Sequence, residues 1–84
     1  MAFSETRTAN LAEVAAMIRE VRQRIGVSQE KFAAKVGVSF PTVSRWERQK
    51  VIPSPLALDR IKELLQQMGD RGADLLNKYF PEEV

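Results

Sequence analysis

Several residue types that carry chemistry in other proteins are missing from this chain of 84 residues. It has no cysteine, so disulfides and thiolate metal ligands are excluded, and no histidine, the commonest metal ligand and general base. No apolar run approaches the roughly 20 residues of a membrane span, and the first ten residues lack the pattern of a secretory signal. We therefore expect one folded domain over residues 1–84, in the cytoplasm, with no membrane, metal or cofactor.

Positive charge is concentrated in the middle of the chain, although the whole sequence carries only +2. Between residues 19 and 50, eight Lys and Arg residues stand against three Glu residues. Such a basic segment is typical of proteins that bind a polyanion, and a solvated charged surface is the alternative.

Apolar residues recur at steps of three and four, which is the period of an α-helix. The first stripe predicts a helix that ends at Gly26, and its members are Leu11, Val14, Ile18, Val21 and Ile25. Ser28, Ser39 and Ser54 are N-cap candidates for three further helices, over about 29–36, about 40–48 and from Pro55 onward.

The C-terminal third predicts two helices separated by a turn that Gly69 and Gly72 bracket. The buried stripe of the fourth helix consists of Leu58, Ile61, Leu65 and Met68. A short last helix before Pro81 carries Leu75, Leu76, Tyr79 and Phe80, an apolar edge that closes the core, pairs two subunits or docks another partner. With no alternating strand pattern, the fold is predicted to be an all-α compact bundle of about five helices.

The second and third predicted helices are separated by only residues 37–39, a turn that contains glycine. Two short helices joined in this way match a helix-turn-helix unit, here over residues 28–49. Gly37 permits the turn and Ala33 leaves room for the helices to cross. The apolar positions that hold the unit together are Phe32, Val36, Val38, Val43 and Trp46.

The stretch IREVRQRIGVSQEKFAAKVGVSFPTVSRWERQKVIPSPLALDRIKELL, residues 18–65, resembles the Cro/phage-repressor family, also called the xenobiotic-response-element (XRE) family. The resemblance is carried by Arg22 four residues before Gly26, "SQ" at 28–29, "FA" at 32–33, "GVS" at 37–39 and "VSRWE" at 43–47. It implies a lambda-repressor-like bundle whose third helix enters the DNA major groove. It also implies sequence-specific binding, usually as a homodimer on a near-palindromic operator.

The chain departs from the family pattern at two places. Gln49 stands where the family commonly has glycine. Two backbone conformations of the loop after the third helix therefore stay open, that of the family and a different one. Phe40 and Pro41 occupy the first exposed positions of the recognition helix, where polar base-reading residues are usual.

A helical wheel for residues 40–48 places Val43 and Trp46 on the inner side and collects Pro41, Ser44, Arg45 and Arg48 on the opposite side. Arg45 is the first candidate for base readout, since its guanidinium can bond guanine O6 and N7 together. The predicted base contacts are Phe40, Pro41, Ser44 and Arg45. Two interpretations of Phe40 remain open, because its ring either packs against the second helix or touches a thymine methyl.

Contacts to the DNA backbone are predicted for residues at helix starts and in the loop after the recognition helix. These residues are Gln29, Ser39, Thr42, Arg48 and Lys50. For Gln29, the resemblance also implies that it braces the recognition helix. It further implies an ion pair between Arg22 and Glu47, and an unpaired carboxylate at Glu47, beside the core, would be costly.

These features predict a transcriptional regulator, most simply a repressor that occupies an operator on double-stranded DNA as a homodimer. An antitoxin that represses its own operon and binds a toxin would use the same scaffold. An adaptor that binds protein partners but no DNA is a further alternative. An enzyme is not expected. The one candidate pair of catalytic carboxylates is Asp59 and Glu63, and because Arg60 and Lys62 lie beside them, the segment is typical of a solvated helix surface.

Overall fold

The computed structural model describes residues 10–81, within which the chain forms five helices and no strand. The helices are α1 (Leu11–Ile25), α2 (Gln29–Val36), α3 (Phe40–Glu47), α4 (Pro55–Gln67) and α5 (Asp70–Tyr79). The predicted all-α class and the number of helices are confirmed. None of the described helices is long and apolar enough to cross a lipid bilayer.

Side-chain caps define where four of the helices begin. Ser28, Ser39 and Ser54 accept hydrogen bonds from the backbone amides three residues later, at 3.2, 3.3 and 3.2 Å. Asn10 caps α1 in the same way, with its Oδ1 2.7 Å from the amide of Glu13. Each bond satisfies an amide that has no partner inside the helix, which is why the predicted starts of α2, α3 and α4 agree with the structure.

One apolar cluster joins the helices, with α1 packed on α3 and α5, α2 on α3 and α4, and α4 on α5. Its buried members are Val14, Met17, Ile18, Val21, Phe32, Ala33, Val36, Val43, Trp46, Ala57, Ile61, Leu65, Leu75 and Tyr79. All the apolar positions predicted for the helix-turn-helix unit belong to it or, in the case of Val38, pack against it half-buried.

The predicted stripes of α1 and α4 require correction at their edges. Leu11 is exposed, whereas Met17, outside the predicted stripe, is fully buried because α1 is covered on two sides, by α3 and by α5. In α4, Ala57 is buried while Leu58 and Met68 are only half-buried. The pattern of large apolar residues therefore predicted which side of each helix faces the core, but not which residues on that side are most deeply buried.

The predicted turn at residues 69–72 is shorter than expected. Gly69 does form a turn, with φ of +61°, but α5 begins at Asp70 and Gly72 lies inside its first turn. Gly72 is buried against α4, where a Cβ atom would collide with the carbonyl oxygen of Leu65. Its role is thus close packing between α4 and α5.

The C-terminal helix closes the bundle against α1. Tyr79 donates a hydrogen bond from its hydroxyl to Glu20 at 2.7 Å. Arg24 pairs with Asp74 at 2.9 Å, and Arg71 donates to the Arg24 carbonyl at 2.6 Å. Of the predicted apolar edge, Leu75 and Tyr79 are buried and Leu76 and Phe80 are half-buried, so these four side chains serve the core of their own chain.

Candidate nucleic-acid interface

Helix α3 has one face in the core and one face in solvent. Val43 and Trp46 are 0% and 2% exposed, which fixes the rotation of the helix about its axis. On the opposite side Pro41, Arg45 and Arg48 are exposed. Ser44 and Thr42, both half-buried, flank this surface. The structure thus presents the predicted outer positions of the helix together on one side.

Phe40 begins α3 and is the largest apolar side chain on this surface. The residue is 47% exposed and is not part of the apolar cluster or of the half-buried residues that pack on it. Phe40 therefore lies outside the apolar core, and both interpretations of its ring, packing against α2 and contact with a thymine methyl, stay predictions. Its aromatic ring is accessible at the N-terminal end of α3, and in this class of motif that end of the recognition helix contacts base edges.

The start of α3 is held by two hydroxyl groups that were predicted to contact phosphate. Ser39 Oγ caps the amide of Thr42 and lies 2.8 Å from Thr42 Oγ1, so one hydroxyl donates to the other. Because each hydroxyl carries one proton, the acceptor of this pair keeps its own proton for a further acceptor. Ser39 and Thr42 can therefore cap α3 and still donate one hydrogen bond to a phosphate.

A buried carboxylate fixes α3 to the rest of the bundle. Glu47 is 3% exposed, and Arg22 of α1 binds it with two parallel bonds, Nε to Oε2 at 2.8 Å and Nη2 to Oε1 at 3.1 Å. Burial alone would raise the pKa of Glu47, but the hydrogen bonds from Arg22 and Gln29 and the charges of Arg22 and Arg19 hold it below its ordinary value. The carboxylate is thus charged and fully partnered, as a two-point guanidinium contact favours.

Gln29, at the start of α2, is committed to the same carboxylate. Its Nε2 donates to Glu47 Oε1 at 3.0 Å, and the residue is half-buried. This bond braces α3 against α2, as the family resemblance implied. Within the part of the chain that the structure describes, only one of the two amide protons is used, so the second can serve the predicted phosphate contact.

Arg19 contacts the same end of α3 and was missed in the sequence. Its Nη2 donates to the backbone carbonyl of Glu47 at 2.6 Å, and its Nε lies 3.7 Å from Glu47 Oε1. The last carbonyls of a helix lack intrahelical partners, so a cation there is doubly favourable. The available signal was its position three residues before Arg22, which puts both arginines on one face of α1.

The turn after α3 has the backbone conformation that usually requires glycine, although the residue in the left-handed position is Gln49. Gln49 has φ of +61°, its amide donates to the Trp46 carbonyl at 3.2 Å, and the Lys50 amide donates to the Arg45 carbonyl at 2.9 Å. These two bonds define a Schellman ending. The loop is therefore built with the left-handed residue that a glycine would supply.

Three exposed cations lie at the end of α3 and in the loop that follows it. Arg45, Arg48 and Lys50 form no ion pair with any residue that the structure describes. All three lie within six residues of one another and are exposed. The surface formed by the outer side of α3 and residues 48–50 is hereafter the α3 surface, and it can attract and hydrogen-bond an anion.

A comparison with protein families agrees with this geometry. A family model described as helix-turn-helix matches residues 18–68, which is more than half of the chain. Comparisons with curated proteins and with solved structures gave no match.

Proposed function

The chain belongs to the Cro/C1-type, or XRE, helix-turn-helix family of DNA-binding regulators, and from this premise we propose that it is a sequence-specific repressor. In this proposal it acts in the cytoplasm, where it occupies an operator and blocks transcription. The observation that carries the proposal is the α3 surface, on which Arg45, Arg48 and Lys50 are exposed and have no ion-pair partner among the described residues, while the opposite face of the helix is buried in the core.

Bases are read from the outer side of α3 in the major groove. Arg45 bonds the O6 and N7 atoms of a guanine, a contact worth about 1–3 kcal/mol of discrimination. Phe40, which is about half exposed, lies against a thymine methyl. Pro41 and Ser44 complete the base-facing surface, because they lie on the same side of the helix.

Phosphates are bound on both sides of that helix. Arg48 and Lys50 supply two long cations from the loop, and these orient the protein without reading sequence. Gln29 supplies its second amide proton from the start of α2, where the unpartnered amides of a helix attract an anion. Ser39 and Thr42 share one free hydroxyl proton at the start of α3.

A homodimer places two copies of α3 on one face of the duplex, about 34 Å apart. Apolar side chains for contact between copies are present beside α3, since Val51, Ile52 and Leu56 are 42%, 38% and 62% exposed. The apolar residues of α5 are used within the chain, which supports a self-association surface at the loop between α3 and α4.

The proposal is tested by selecting bound duplexes from a random pool and measuring affinity for the winner as a function of salt. We expect a half-site pair about one helical turn apart and a log–log salt slope that corresponds to several phosphate contacts. An operator placed over a promoter should then reduce transcription in vitro when the protein is added. Absence of binding to any duplex at low salt would contradict the proposal.

A further inference from the structure

Three consecutive helices end in a left-handed residue, but only two of these residues are glycine. The residues after α1 and α2 are Gly26 and Gly37, with φ of +82° and +85°. The turn after α3 uses Gln49, which among the described residues is the only non-glycine with positive φ. A Cβ atom makes this conformation unfavourable, so glycine would be the less strained residue at position 49.

What Gln49 offers in return is its side-chain amide. The residue is exposed, and its side-chain amide forms no hydrogen bond with any residue that the structure describes. Its backbone is held by the Schellman bonds, and the preceding helix end is held by Arg19 at the Glu47 carbonyl. Strained residues that the surrounding structure holds in place are concentrated at functional sites.

The neighbours of Gln49 indicate its ligand. It lies between Arg48 and Lys50, which are exposed and form no ion pair within residues 10–81, at the C-terminal end of α3. In this docking geometry the N-terminal end of the recognition helix reaches base edges, and cationic loops at its other end meet the DNA backbone. A neutral amide between two cations is suited to donate to an anionic oxygen.

We propose that Gln49 is a DNA-contacting residue whose side-chain Nε2 donates a hydrogen bond to a phosphate oxygen of the duplex. This inference rests on the proposed DNA-binding function. It adds one contact that does not read sequence, and it accounts for a glutamine at a position whose backbone favours glycine.

The decisive variant is Gln49→Ala, because alanine keeps the Cβ atom and its strain but lacks the amide. On the duplex selected from a random pool, its affinity should fall about tenfold, as expected for a lost hydrogen bond to a charged group. The salt slope should stay unchanged, since a neutral side chain displaces no counterion. The melting temperature of the free protein should also stay unchanged.

A second variant, Gln49→Gly, separates binding from folding. It should lose the same affinity while its melting temperature rises by about 4 °C, because glycine adopts the left-handed conformation without strain. Gln67→Ala, at an exposed glutamine near the end of α4, is the matched control and should bind as the wild type does.

Three results would overturn the inference. Wild-type affinity in Gln49→Ala would exclude the amide contact. Loss of affinity in Gln49→Gly alone would assign the effect to rigidity of the turn. If the wild-type chain binds no duplex, the proposed function fails first, and that failure is distinct because it precedes any comparison of variants.

Discussion

The arginines of α1 and the cations around the end of α3 belong to one basic segment but differ in what they contact. On α1 each arginine is held by an acceptor of another helix, and these residues are Arg19, Arg22 and Arg24. At α3 and its loop none is held by a described residue, and these residues are Arg45, Arg48 and Lys50. The count of cations along the sequence therefore overestimated how many of them are available to bind an anion.

The position of one carboxylate explains much of this difference. Glu47 belongs to α3, yet it points into the bundle and gathers Arg22, Gln29 and Arg19 on the inner side of the helix. It pairs with Arg22 and Arg19 of α1, and because it is the only acid of α3, the outer side of that helix carries none. The buried acid thus separates a scaffold group of cations from a binding group.

The largest effect is expected from breaking the scaffold side. Arg22→Ala removes the two-point partner of a carboxylate that is 3% exposed and should lower the free energy of unfolding by roughly 3–5 kcal/mol. Urea denaturation measures the change. Arg45→Ala serves as the matched control and should leave the urea midpoint unchanged; an equal loss in both variants would contradict the division between the two groups.

Acid should weaken the scaffold through the same carboxylate. The folded-state pKa of Glu47 lies below its ordinary value of 4.5, so its stabilisation is complete above pH 4.5 and is lost as the pH falls through the folded pKa. We expect a steeper loss of stability with acid in the wild type than in Glu47→Gln, measured by urea midpoints from pH 7 to pH 3. Parallel profiles would show that Glu47 does not titrate with folding.

On the binding side, Arg45→Ala should relax sequence preference at one base pair by about 1–3 kcal/mol. The reason is that its guanidinium makes the two-point contact with a single guanine in the proposed complex. Competition between duplexes that differ at each position measures it. An equal loss of affinity for every duplex would instead place Arg45 on phosphate.

A smaller and more uniform change is expected for Lys50→Ala. It should weaken binding to all duplexes alike and reduce the log–log salt slope by about 1, because one phosphate contact and its counterion release are lost. Affinities at four salt concentrations are sufficient. A changed base preference in this variant would show that Lys50 reads sequence.

The smallest effect should come from Arg24→Ala. Its pair with Asp74 is partly exposed, with the two side chains 34% and 65% exposed, and such pairs contribute little to stability. We expect a urea midpoint much closer to the wild type than that of Arg22→Ala, and unchanged DNA affinity. Weaker DNA binding in this variant would move Arg24 from the scaffold group to the binding group.

Local signals in the sequence were enough to predict most helix limits. Serine caps and apolar periodicity act within one turn of backbone, so α2, α3 and α4 begin where Ser28, Ser39 and Ser54 predicted. Gly72 was misinterpreted because a glycine at a turn and a glycine at a close helix contact look the same in a sequence. Only the carbonyl of Leu65 lying over it distinguishes the two.

The candidate site was predicted less completely. The wheel of α3 correctly separated Val43 and Trp46 from Arg45, because helical geometry alone decides opposite faces. It could not decide Phe40, whose exposure depends on how α2 meets α3. Nor could it find Arg19, whose partner lies 28 residues away in the chain.

By itself, then, the sequence determined most helix limits, the three serine caps, the helix-turn-helix spacing and the inner face of α3, because each depends on interactions within a few residues. The tertiary structure decided which cations are consumed by the scaffold and which remain for an anion, because that depends on where distant acceptors meet. It also decided the backbone of Gln49, which the helix end and its two Schellman bonds hold in a conformation that its side chain disfavours.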